Sequence, residues 1–220
     1  MKFNIITIFP QIFSSYFNEG MLKRAIDRKI IKIKTHDLRN FTNDKRKTVD
    51  DTVYGGGAGM LLKIEPLYKA VKKIAKKKKT TGQKIILLSA KGKKWNQQMA
   101  QKYSKLKSIT LICGRYEGVD ERIKNFIDEE ISIGDYVLTG GEIGAMAIID
   151  SVSRLLPKVL GNKESIKDES HQKEGVLEHP QYTKPAIFKI GKKEYKVPKE
   201  LLSGNHKLIE NWKLDNKLKK

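Results

Sequence analysis

Cysteine occurs once in the 220 residues, at position 113. A single thiol cannot close an internal disulfide or a cysteine-based zinc cluster, and it suits a reducing cytoplasm. Histidine is nearly as scarce, with four copies. His171 and His179 are too isolated for a metal site, and no His-Glu-x-x-His spacing exists. No serine or cysteine nucleophile signature is present, and no internal repeat. No apolar run is long enough to span a membrane, and residues 1–10 read as a short strand, not a signal peptide. A cytoplasmic location is expected. Acids are in deficit, 25 against 45 lysines and arginines, for a net charge of +20 and a pI near 9.8. That excess points to a polyanionic partner, nucleic acid before a membrane surface, since no basic amphipathic helix stands out. Arginine itself is scarce, with Arg24, Arg28, Arg39, Arg46, Arg115, Arg122 and Arg154 among those 45 cations. Where lysine supplies most of the charge, each arginine is a candidate for its planar fork.

What is present begins as alternating strands and helices. Residues 2–9 are β-branched and aromatic and stop at Pro10, a strand signature. Residues 12–17 and 21–29 have helical spacing, and 30–36 form a second strand, so a parallel α/β unit is expected. Residues 37–51 read as a loop too polar for the core. Residues 65–79 read as a helix ending in four lysines, 95–103 and 119–127 as helices, and 142–156 as an apolar helix. Strands at 84–88, 108–113 and 130–133 each end in a glycine-bearing loop: 88–92, 114–118 and 134–141. In open α/β sheets ligands bind outside the carboxyl ends of the strands, so the three loops are expected to meet in one crevice.

Around the third loop, residues 132–145 read S-I-G-D-Y-V-L-T-G-G-E-I-G-A. The glycines leave backbone N–H and C=O groups free to read a purine edge or a small carboxylate. Taken alone, the segment reads as a turn from a strand into a helix. Residues 50–60 read D-D-T-V-Y-G-G-G-A-G-M, with four glycines in five positions. Neither a helix nor a central strand can hold them. No Gly-Lys-Ser/Thr follows, so this is not a Walker loop, which weighs against a nucleotide-binding α/β protein.

Composition changes after Pro157. Residues 161–175 are polar and read as a linker, and 176–220 hold a hairpin near 187–197 and a basic helix at 206–219. The chain therefore divides into 1–160, 161–175 and 176–220. Arg154 follows Asp150 by one helical turn, which permits either a structural ion pair or a fork stabilising developing negative charge. Asp168 and Glu169 lie in the linker, where acids are usually solvated but where a mobile base can also be delivered. Cys113, inside an apolar strand, reads as buried and inert.

In order along the chain, D-D-T-V-Y-G-G-G-A-G-M, L-I-C-G-R-Y-E-G-V-D-E-R, S-I-G-D-Y-V-L-T-G-G-E, E-H-P-Q-Y-T-K-P and L-L-S-G-N-H closely resemble the bacterial tRNA (guanine-N1)-methyltransferase family, TrmD. The resemblance runs from residue 1 to about 213. It implies a fold of the SPOUT class, with a trefoil knot in the parallel-sheet domain and a small, mostly helical C-terminal domain. Pattern alone gives an unknotted doubly wound sheet, because knots are rare. The resemblance further implies S-adenosylmethionine as cofactor. It would be bound by residues 1–160 at Leu87, Ser89, Gly114, Ile133, Gly134, Asp135, Tyr136, Val137, Leu138, Gly140 and Gly141. It implies a homodimer with a two-chain active site, and a tRNA with guanosine at position 37 gripped by residues 176–220.

N1 of guanine carries a proton, so a general base is needed before it can be methylated. The family places an acid of an Asp-Ser-Phe/His motif in that role, which here reads Glu169-Ser170-His171, with Asp168 the alternative. Arg154 matches the family's active-site arginine. Glu117 matches an acid tied to substrate or magnesium, Glu178 an acid near the cofactor, and Lys184 stands where arginine is common. The resemblance also implies that the chain ends short of the family's usual C-terminus. The rival reading is a basic, non-catalytic RNA-binding protein whose glycine loops are structural.

Overall fold

The computed structural model describes residues 1–75, 82–161, 169–171 and 175–218. The chain splits into two compact units, Met1–Gly161 and Asn162–Lys220.

In the first unit, β1 (Lys2–Thr7) is followed by α1 (Ile12–Phe17), α2 (Gly20–Asp27) and β2 (Lys32–Asp37). A short ribbon, β3 (Asp50–Thr52) and β4 (Met60–Leu62), precedes α3 (Ile64–Ala75). Then come β5 (Gln83–Lys94), α4 (Gln97–Tyr103), β6 (Ser108–Cys113), β7 (Glu129–Ser132) and α5 (Glu142–Ser153). The main sheet has order β2-β1-β6-β5-β7, and every adjacent pair is parallel. Parallel strands covered on both faces favour apolar residues throughout, as in Ile85–Leu88 of β5; the buried Asn4 of β1 and Thr110 of β6 interrupt their strands and meet each other, Asn4 Nδ2 donating to Thr110 Oγ1 at 3.5 Å.

Side chains alternate across the sheet and build two cores. Phe3, Ile5, Leu111 and Ile131 pack with Phe13, Leu22, Tyr103, Ile148 and Val152 of the helices on one face. Ile6, Leu87 and Ile112 pack with Leu67, Ala70 and Val71 of α3 on the other. Leu38 and Val49 join that second core at 1% and 2% exposure, which corrects the reading of residues 37–51 as wholly outside it. The two turn inward near the ends of the segment, and Phe41 between them packs against the same core, partly buried.

Two further differences bear on the site. β5 does not stop at Leu88. Leu88 and Lys93 both pair with Ile131, so residues 89–92 arch out of the ladder and rejoin it. Gly92 permits the return, because a Cβ there would collide with the Ile131 backbone. The helix expected at 119–127 is a 3-10 segment, Glu121–Phe126, held at its start by the Asp120 side chain accepting from Arg122 N at 3.0 Å. Of the lysine run at the end of α3, residues 76–79 lie outside the described residues.

The second unit contains a hairpin of β8 (Ile187–Ile190) and β9 (Lys193–Lys196), then α6 (Lys199–Leu202) and α7 (His206–Asp215). Asn205 caps α7 by accepting from Lys207 N at 3.0 Å. Residues 169–171 are tied to the start of the C-terminal segment: Glu178 N donates to Ser170 Oγ at 2.9 Å, and His171 N to Val176 O at 2.8 Å.

Candidate active site

The arch within β5 and the carboxyl ends of β6 and β7 do converge. Together they enclose a crevice of about 230 Å³. Leu87, Leu88, Ile131, Ile133 and Leu138 give it apolar walls, and residues 114–118 and 139–141 present main chain to it. Ten of the eleven expected cofactor positions line it: Leu87, Ser89, Gly114, Ile133, Gly134, Tyr136, Val137, Leu138, Gly140 and Gly141. Asp135 is instead turned outward in an exposed ion pair with Lys94.

A close backbone approach lies at Gly141, where the chain enters α5. Its N–H donates to Gly114 O at 3.0 Å. A Cβ placed on it would lie 2.8 Å from Cys113 Cα, 3.0 Å from Leu88 Cβ and 3.2 Å from Gly114 N. Backbone cannot swing aside as a side-chain tip can. Gly141→Ala should therefore cost about 1–3 kcal/mol of stability through overpacking, read as a lower midpoint in urea unfolding. An unchanged midpoint would show that the crossing is slack.

A buried charge network holds the same junction. Glu142, 1% exposed, accepts from Arg115 Nε at 2.9 Å and from Thr7 Oγ1 at 2.7 Å. Burying a carboxylate is tolerable only with such partners. Arg115 also donates to Thr139 O at 3.3 Å and stacks its guanidinium 4.7 Å over the Phe9 ring. One arginine fork thus ties the end of β1, the loop after β6 and the loop before α5. In the sequence Arg115 is a scarce arginine inside L-I-C-G-R-Y-E-G-V-D-E-R, and Glu142 is the last letter of S-I-G-D-Y-V-L-T-G-G-E, with nothing in either motif to pair them. They stand 27 residues apart, a spacing that no local periodicity links.

Glu117 lines the crevice and carries the glycine ribbon on its outer side. Glu117 N donates to Met60 O at 3.0 Å, and Leu62 N to Gly118 O at 3.1 Å. Gly59 lies so close to the Glu117 side chain that a Cβ would strike it. Gly55, Gly56, Gly57 and Gly59 all have positive φ, which places the glycines in the turn between β3 and β4. Burial pushes Glu130, also on the wall, upward, but hydrogen bonds from Lys124 and Ser89 together with the charges of Lys124 and Lys91 bring it below the usual carboxylate range. Burial pushes the Cys113 thiol well up, as an inert structural cysteine requires.

Arg154 is the C-cap of α5. Thirteen residues separate it from Gly141, about 20 Å along a helix, so it stands at the far end from the crevice. Near it, Tyr16 donates its hydroxyl to Asp150 at 2.5 Å, and that bond raises the Tyr16 pKa to about 12. Glu169, Glu178 and Lys184 belong to the second unit. There Glu178 accepts from Gln181, and Lys184 precedes a cis Pro185. Asp168 lies outside the described residues.

A family model described as tRNA (Guanine-1)-methyltransferase TrmD matches residues 1–220. A tRNA (guanine-N(1)-)-methyltransferase of Dictyoglomus turgidum is 51% identical over 220 residues, covering 100% of this chain and 86% of that protein. One from Mycoplasmopsis synoviae is 48% identical, covering 100% and 93%. The crystal structure of tRNA (m1G37) methyltransferase from Aquifex aeolicus superposes with a TM-score of 0.77 at 43% identity, covering 97% of this chain and 88% of that one.

The parallel sheet, the crevice outside its strand ends and this structural match define an α/β methyltransferase of the SPOUT class. More narrowly, the chain belongs to the tRNA (guanine-1)-methyltransferase TrmD family. It is an enzyme, a tRNA (guanine-N1)-methyltransferase, and a family of this kind draws its methyl group from S-adenosylmethionine. The reading as a non-catalytic RNA-binding protein falls away. No helix among the described residues is long and apolar enough to cross a membrane.

Proposed function

We propose that this enzyme methylates N1 of guanosine 37, on the 3′ side of the tRNA anticodon, with S-adenosylmethionine seated in the crevice between β5, β6 and β7. The observation that carries this reading is the convergence of the β5 arch and the glycine-bearing ends of β6 and β7 on one apolar cleft. The residues fit the group. Leu87, Ile133, Val137 and Leu138 offer apolar surface to a purine ring. Main chain at Gly114, Gly140 and Gly141 comes close because no Cβ intervenes. When bound, the cofactor supplies an electrophilic methyl group on a sulfonium.

The chain's own residues do the rest. Glu169 takes the proton from guanine N1, freeing its lone pair, with Asp168 the alternative base. Arg154 holds the negative charge that then gathers on O6. Glu117 and Glu178 position the base and the cofactor, and Lys184 contacts phosphate as a point charge. Magnesium, which the resemblance attaches to Glu117, meets no group of three or more acids, histidines or cysteines among the described residues, and no step is routed through it.

The active form in this reading is a cytoplasmic homodimer. The length of α5 supports it: Arg154 and the crevice of one chain lie at opposite ends of that helix, so a second copy would bring its Arg154 to a cofactor that the chain's own Arg154 does not reach along α5. Exposed Phe9, Ile12, Tyr16 and Ile143 supply an apolar face for it. Close passage of Gly141 between Leu88 and Cys113 supports the trefoil knot. Residues 1–160 would bind the cofactor, 161–175 carry the base, and 176–220 grip the tRNA.

The test is tritium transfer from labelled S-adenosylmethionine to a tRNA with guanosine at 37 and to the same tRNA with adenosine there. Label should enter only the first. Equal labelling of both would refute the assignment of position 37. Steeply salt-dependent tRNA binding with no calorimetric heat from S-adenosylmethionine would refute the crevice as its site.

A further inference from the structure

The β8–β9 hairpin has two chemically different faces. Its register pairs Phe188 with Tyr195, Ile190 with Lys193, Lys189 with Glu194 and Ile187 with Lys196. Directly opposed residues share a face, and side chains alternate. One face therefore carries Phe188, Ile190, Lys193 and Tyr195, and the other Ile187, Lys189, Glu194 and Lys196.

On the second face Glu194 accepts ion pairs from Lys189 at 2.6 Å and Lys196 at 2.9 Å. The hairpin's single acid is thus turned away and doubly neutralised. The first face is left aromatic and cationic. Phe188 and Tyr195 have ring centroids 6.3 Å apart with planes tilted by 37°. Lys193 Nζ sits 5.1 Å from the centre of the Tyr195 ring. Phe188, Ile190 and Tyr195 are 55%, 58% and 46% exposed. Three large apolar side chains left in water on a two-stranded ribbon are a poor use of a structure already marginal by itself. They become an asset if something flat and anionic lies on them.

We propose that the Phe188–Tyr195 face of this hairpin is a stacking platform for an unpaired base of the tRNA, with Lys193 and the turn residue Lys192 meeting the adjoining phosphates. The charge argues for RNA over a protein partner: the face has one cation, Lys193, beside Lys192 in the turn, and no acid, on a chain of net charge +20. Aromatic side chains beside a basic track are how single-stranded nucleic acid is held without reading its sequence. The inference rests on tRNA being the substrate, and it adds to that reading which surface of the second unit holds an unstacked nucleotide.

The test uses the full chain and compares Tyr195→Ala, Tyr195→Leu and Tyr195→Trp, with the same alanine and leucine changes at Phe188. Binding of fluorescent tRNA is followed by anisotropy, alongside KM for tRNA and for S-adenosylmethionine. Loss of stacking should weaken tRNA binding about tenfold per ring. Alanine and leucine should both show it, tryptophan should not, and KM for the cofactor should stay put. Lys193→Gln should lower the salt slope of binding by about one. Leucine variants that bind like the parent would overturn the proposal, because apolar area without a π-face would then suffice. Alanine variants that bind like the parent would overturn it outright. Thermal melts separate lost binding from lost folding, and Tyr195→Trp gives a folded control. Failure of the parent to transfer label would sink the methylation reading alone, since anisotropy decides the platform independently of turnover.

Discussion

Replacing Glu169 with glutamine is expected to slow methyl transfer about 10²–10⁴-fold, the usual worth of a placed general base. Glutamine keeps the shape and hydrogen-bonding reach of glutamate but cannot take the N1 proton. Heat of S-adenosylmethionine binding should be unchanged, because the crevice at the strand ends is built entirely from the first unit. tRNA affinity should hold within a few-fold. The backbone at this position is anchored next door, where Ser170 accepts from Glu178 N, so the substitution should not release the segment. If Glu169→Gln turns over within a few-fold of the parent while Asp168→Asn is crippled, the base is Asp168.

Arg154→Ala should lower kcat by about 10²–10³-fold, the range for losing one donor to a developing oxyanion. Its location makes the measurement informative about assembly as well as chemistry. A residue some 20 Å of helix away from Gly141 has no route to a cofactor in its own crevice along α5, so cofactor binding to the variant should be that of the parent. Arg154→Lys should recover only part of the rate, because an ammonium keeps the charge and loses the planar fork. Parent-like turnover by Arg154→Ala would leave the arginine as a helix C-cap that favours the negative helix end, and the charge on O6 would need another holder.

Much of the site was legible before any coordinates. Strand ends marked by Gly114, Gly134 and Gly140–Gly141 announce themselves locally, because glycine interrupts an apolar run at each. A parallel α/β arrangement then places those ends on one edge. Five motifs in order identified the family. What escaped was whatever depended on partners distant in sequence. Leu38 and Val49 sit among polar neighbours, and only their packing against Leu62 and Leu67 makes them core. β5 passes beyond Leu88 because Ile131 pairs with it twice, which nothing in residues 83–94 announces. Asp135 looks like its neighbours in the motif, yet Lys94 draws it outward.

Local order could be read from the chain alone: periodicity names strands and helices, glycine names their interruptions, and charge names a polyanionic partner, since each is written in adjacent residues. Strand order, the crossing of Gly141 over Cys113 and the Arg115–Glu142 clamp were settled only when segments remote in sequence packed together. The physical reason is that a buried carboxylate or a bare main-chain contact is stabilised by whatever stands opposite it in space, and no window of neighbouring letters contains that partner.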